Sequence, residues 1–171
     1  MNSDLFEILF ILLLILINGV FSMSEMAIVS SKKVRLESAA KSGLRGAKTA
    51  LALYSSPTYF LSTVQIGITL VGLLTGIHSG ENITNDLENY LLQFDLTKSI
   101  ADELSITIVL LCVTFFSLVL GELIPKRLGL SNPEKIARAM APLMKVLSTL
   151  TFPFVWVLTH TSDILLTILN L

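Results

Sequence analysis

The chain holds one cysteine, Cys112, among its 171 residues, so an internal disulfide and a cysteine-based metal cluster are both excluded. Histidine occurs only at His78 and His160. No His-Asp or Ser-Lys constellation falls at matched depth, so an enzyme is not expected. Charged residues are scarce, at 15%, and the net charge of −1 gives no basic field that calls for a nucleic-acid partner. What remains is apolar: 53% of the chain, with a mean hydropathy of +0.76. Such a balance belongs to a protein whose solvent is the lipid bilayer. At this length there is room for three or four spans and no separate soluble catalytic domain, so residues 1–171 are read as one integral domain.

Three apolar runs reach spanning length, at about 5–29, 58–78 and 105–124. The first is preceded by "MNSDLFE", which carries Asp4 and Glu7 and no positive charge, so a cleaved signal peptide is not expected. The loop between the first two runs holds Lys32, Lys33, Arg35, Lys41, Arg45 and Lys48 against Glu37 alone. The loop between the second and third holds Glu81, Asp86, Glu88, Asp95, Asp102 and Glu103 against Lys98 alone. The positive-inside rule then puts the basic loop and the C-terminus in the cytoplasm of a cell membrane, and the N-terminus outside.

In the basic loop, Val34, Ala40, Leu44, Ala47 and Leu51 fall roughly on one helical stripe. This fits a juxtamembrane helix over 31–55, lying at the inner interface or serving as a solvated linker. After the third run, Asn132, Pro133 and Glu134 form a helix start. The final run has Pro153 near its beginning and Thr159, His160, Thr161, Ser162 and Asp163 at its middle. A span with that centre is expensive, so 133–171 is read as juxtamembrane helices ending in a bent, partly amphipathic hairpin or belt. The fold class expected is therefore all-α and integral to the membrane, with three transmembrane helices and amphipathic helices on the cytoplasmic side.

The spans contain polar residues and no Lys or Arg to partner them. Ser22, Ser24 and Glu25 close the first span, Gln65 and Thr69 sit in the second, and Gly121 and Glu122 close the third. Two carboxylates at one depth in a dry site need a proton or a cation. Pro125 lacks an N–H and crowds the carbonyl four residues back, so the Gly121 oxygen should come free beside a residue with no side chain. The resulting donors are all oxygens, which suits Mg²⁺ or Ca²⁺ rather than zinc or copper. The alternative is structural: a helix-end Glu that reaches the interface or pairs with Lys126 or Arg127, and serines that bond back to their own helix.

Taken in order, "NGVFSMSEMAIVSSKKVRLE", "TVQIGITLVGLLTG" and "GELIPKRLGLSNPEKIA" resemble the membrane domain of the CorC/cyclin M magnesium transporters. The resemblance covers nearly the whole chain. It implies a homodimer of three-span units and a dehydrated Mg²⁺, the transported ion, held between spans. Ser22, Gly121 and Glu122 match the family's cation site and Ser24 and Glu25 its acidic first-span motif, with Pro125 as the supporting helix break. Many relatives carry Asn in the second span where this chain has Ile68 and Gly72, leaving Gln65, Thr69 or a backbone carbonyl to replace it. The cytoplasmic CBS modules that usually follow, and act as partners, are absent here, so a truncated domain is expected. The function implied is Mg²⁺ transport, as cation-coupled export. The alternative is a membrane anchor or divalent-cation sensor without transport.

Overall fold

The computed structural model describes residues 2–78, 81–94 and 97–168, with side chains at all of these except 2–4, 81, 82 and 163. Asp95 and the side chains of Asp4, Glu81 and Asp163 therefore lie outside what the structure describes. Every described element is helical: α1 Asn2–Ser30, α2 Lys33–Lys41, α3 Ala47–Ser55, α4 Pro57–His78, α5 Glu81–Leu91 and α6 Lys98–Leu118. A π-helical turn Val119–Leu123 then leads into α7 Ile124–Ser131, and α8 runs Pro133–Ile168. This is the outcome that a lipid environment dictates, because a helix satisfies its backbone groups within the segment. Among the described residues four helical stretches are long and apolar enough to cross a membrane: Leu5–Ser30, Pro57–His78, Lys98–Ser131 and Pro133–Ile168.

The chain divides into two compact units. The first comprises Met1–Phe21 and Ile68–Pro125. In it the amphipathic α5 packs against α6. Residues from α1, α5 and α6, among them Ile11, Ile15, Ile83, Leu87, Val109 and Cys112, line an apolar groove of about 570 Å³. Near the end of α4, the His78 ring leans on Phe10 at 5.0 Å between ring centres and its Nδ1 lies 3.1 Å from the Leu74 carbonyl oxygen.

The second unit comprises Ser22–Gly67 and Lys126–Leu171. Here α3 packs on both α2 and α8, with Ala47, Ala50, Ala137 and Ala141 fully buried. The start of α4 meets α8 through Tyr59 stacked on Phe152 and the Thr151 and Thr63 hydroxyl oxygens 3.3 Å apart. Gly129 in α7 lies against α1, where an added Cβ would come within 2.7 Å of the Met23 carbonyl oxygen.

Three sequence expectations require correction. The basic loop is two helices, because Gly43 and Gly46 adopt φ of +70° and +74°, a region costly for other residues. Gly43 closes α2 with bonds from its own N–H to Ala40 and from Leu44 N–H to the Ala39 carbonyl. The expected stripe is broken accordingly. Val34 and Leu44 are exposed, and Leu36, Ala47, Ala50 and Leu53 are the buried positions.

The third apolar stretch does not break at Pro125. The helix widens over Val119–Leu123, with the Ile124 N–H reaching the Val119 carbonyl, and so accommodates the proline ring and continues to Ser131. The C-terminal run is also no hairpin, since α8 is continuous through Pro142 and Pro153. Its hydroxyls bond inward, Thr149 to Lys145, Thr151 to Leu147 and Thr161 to Val157 carbonyls, which reduces the cost that predicted a bend. His160 stacks on Trp156 at 5.3 Å.

Candidate cation site

In the first unit, the closing turn of the third apolar stretch is built on two glycines. Gly19 of α1 leaves room for Pro125, whose Cγ would be 3.0 Å from an added Cβ. Gly121 is buried, and a Cβ there would meet the Asn18 amide nitrogen and the Ile15 carbonyl oxygen, each at 3.2 Å. The Gly121 carbonyl accepts a hydrogen bond from Asn18 Nδ2 at 3.2 Å, and Pro125, four residues on, has no N–H to offer it. The sequence predicted a bare oxygen here. Asn18 occupies one of the two lone pairs of that oxygen. Glu122 beside it is half-buried.

Asn18 has a further consequence. A carbonyl can only accept, so the amide must turn its nitrogen toward Gly121 and its oxygen away. Asn18 Oδ1 is buried and without a hydrogen-bond partner. Leaving such an acceptor unsatisfied in an apolar setting costs about 1–3 kcal/mol. A cation or a bound donor removes that cost.

In the second unit, Ser22 and Ser24 are fully buried and Glu25 is half-buried. Ser22 Oγ also has no hydrogen-bond partner. Residues 18 and 22 are one helical turn apart on α1, so two unsatisfied oxygens lie on one stripe of one helix. In the structural alternative serines bond back to their own helix, as Ser31 does to the Ala27 carbonyl at 2.6 Å, and Ser22 does not.

The second-span residues are placed differently. Gln65 and Thr69 are both exposed on α4, while the buried polar residues of that helix, Thr63 and Thr75, bond to their own carbonyls at Tyr59 and Val71. Among the described residues no three His, Cys, Asp or Glu side chains come together. A metal here would be held by hydroxyl, amide and carbonyl oxygens with carboxylates singly, a donor set that hard cations accept. Asn18 is the residue that sequence reasoning left out of the ligand set. Its spacing of four from Ser22 was the available signal.

The arrangement defines a class: an all-helical, multi-pass membrane domain with unsatisfied oxygens buried in an apolar helix. The family described as "Cyclin M transmembrane N-terminal domain" matches residues 8–171, and the chain belongs to that family. It is 48% identical over 160 residues to a UPF0053 protein of Synechocystis, covering 94% of this chain and 36% of that protein. It is 31% identical over 157 residues to the polyamine export protein of Haemophilus influenzae, covering 91% of this chain and 36% of that one. It is 30% identical over 165 residues to the polyamine export protein of Escherichia coli K12, covering 96% and 37%. The chain thus spans little more than a third of the length of these curated relatives.

Proposed function

We propose that this domain transports a hard divalent cation, Mg²⁺, by cation-coupled export, with no catalytic role. The observation that carries the reading is the pair of buried, unsatisfied oxygens, Asn18 Oδ1 and Ser22 Oγ, in a helix that has no need of polar groups. Membership of the cyclin M family supports it. The ligand set proposed is Ser22, Ser24, Glu25, Gly121 and Glu122, to which Asn18 is added. Gln65 and Thr69 are retained only as contributors in another conformation.

The working assembly proposed is a homodimer of three-span units, N-terminus outside, in the cell membrane, with α8 serving on the cytoplasmic side. Gly72 and Gly76 support a second copy, since an added Cβ at either meets nothing within 4 Å and Leu73 and Ile77 beside them are exposed. Cytoplasmic CBS modules are proposed as partners in the whole protein.

A second reading has its own support in the two relatives named polyamine export proteins. A polyamine's ammonium groups donate hydrogen bonds, and the same oxygens and carboxylates accept them. Calorimetric titration of the detergent-solubilised chain with MgCl₂ and with spermidine separates the cargoes. Saturable Mg²⁺ binding, lost in Glu122→Ala, is expected. Mg²⁺ binding unchanged in that variant, or spermidine binding alone, overturns the proposal. Mg²⁺ flux into proteoliposomes distinguishes transport from the anchor or sensor alternative.

A further inference from the structure

The second unit carries a cleft that the cation reading leaves unused. It lies where the turn into α3 meets the start of α8, and Arg45, Thr49, Lys135 and Arg138 line it together with Leu44 and Gly46. Its floor is fixed by a close backbone approach. Gly46, at φ +74°, sits so tightly on the Arg138 carbonyl that no side chain fits between them. Arg45, next to Gly46 in the chain, and Arg138 both line the cleft beside this contact.

Three cations converge here without a carboxylate among the lining residues. The nearest acid on α8, Glu134, is engaged elsewhere, by the Arg35 guanidinium at 3.6 Å and the Lys32 N–H at 3.3 Å. Arg138 spends its Nε on the Glu134 carbonyl at 3.3 Å, which leaves its two terminal nitrogens for another partner. That leaves the fork that pairs with a phosphate through two parallel bonds. Like charges gathered in this way repel until an anion joins them.

We propose that this cleft binds the phosphodiester of an anionic phospholipid, with Arg45 and Arg138 on the phosphate, Lys135 as a supporting charge and the Thr49 hydroxyl as a further donor. A lipid, rather than free phosphate, is indicated by Leu44. It lines the same cleft with 48% of its surface exposed, and Leu143 and Val146 on α8 are exposed as well. A cationic site with an apolar rim suits an amphiphile with its headgroup inside and its chains beside Leu44.

The test uses the detergent-solubilised chain, titrated with dioctanoyl-phosphatidylglycerol, dioctanoyl-phosphatidylcholine and inorganic phosphate, with bound lipid counted by native mass spectrometry. One phosphatidylglycerol per chain is expected, with phosphatidylcholine and inorganic phosphate each much weaker. Arg45→Gln/Arg138→Gln should weaken phosphatidylglycerol binding by roughly 30-fold, the effect of removing two cations near a phosphate. The control Lys41→Gln/Lys48→Gln removes the same charge from residues outside the cleft and should change binding less than about threefold. Melting curves of both variants monitor folding, and Arg45→Lys/Arg138→Lys, which keeps charge but loses the fork, should fall between them. Equal loss in both Gln variants shows a diffuse field and overturns the proposal, as does inorganic phosphate binding as tightly as the lipid.

Discussion

Gly43 and Gly46 make a matched pair for measuring how firmly α3 is seated on α8. Both have positive φ, so alanine at either bears the cost of a left-handed L-residue, about 1–2 kcal/mol. Only the surroundings differ. A Cβ at Gly43 meets nothing within 4 Å, whereas at Gly46 it overlaps the Arg138 carbonyl oxygen, a backbone atom that cannot rotate away. Relief requires α3 to lift from α8, against the fully buried Ala47, Ala50, Ala137 and Ala141. Overpacking of this kind costs about 1–3 kcal/mol beyond the backbone strain. Gly43→Ala is therefore expected to lose about 1–2 kcal/mol and Gly46→Ala about 2–5 kcal/mol. Equilibrium unfolding in mixed micelles, followed by far-UV circular dichroism, reads both from the shift in midpoint at constant slope. Equal losses in the two variants would refute the close contact, and a larger loss in Gly43→Ala would refute the account of both turns.

Asn18→Leu removes both the donor to the Gly121 carbonyl and the unsatisfied Oδ1, opposing contributions of about 1–3 kcal/mol each, so stability in the same unfolding assay should stay within about 1 kcal/mol of the parent. Ser22→Ala removes a buried hydroxyl that has no partner and breaks no hydrogen bond, so stability without Mg²⁺ should equal or exceed the parent's, by up to about 1–3 kcal/mol. Its deficit should emerge only with ligand. At Mg²⁺ a hundredfold above Kd the parent gains about 2.7 kcal/mol, and a thermal-shift titration should show that gain reduced in Ser22→Ala.

The long apolar helices were legible because lipid leaves a spanning segment little choice. Runs expected at 5–29 and 58–78 emerge as Asn2–Ser30 and Pro57–His78. The basic loop was misread as one helix because the apolar stripe was followed through Gly43 and Gly46, where positive φ overrides periodicity. Pro125 was legible as a residue with no N–H for the Gly121 carbonyl. The π-helical widening that keeps the helix intact depends on Gly19 making room for the proline ring, a tertiary fact absent from the local sequence. Asn18 was visible as a polar residue, but which way its amide faces is decided by a carbonyl 103 residues later. The polar centre of α8 was read as a barrier to a continuous helix because back-bonding by Thr161 was not counted.

The single thiol has a practical consequence. Cys112 is exposed and lines the apolar groove of the first unit. A neutral, oil-soluble maleimide should modify it while a charged, water-soluble one leaves it untouched, and the dye then reports on hydrocarbon from one known address without any engineered residue.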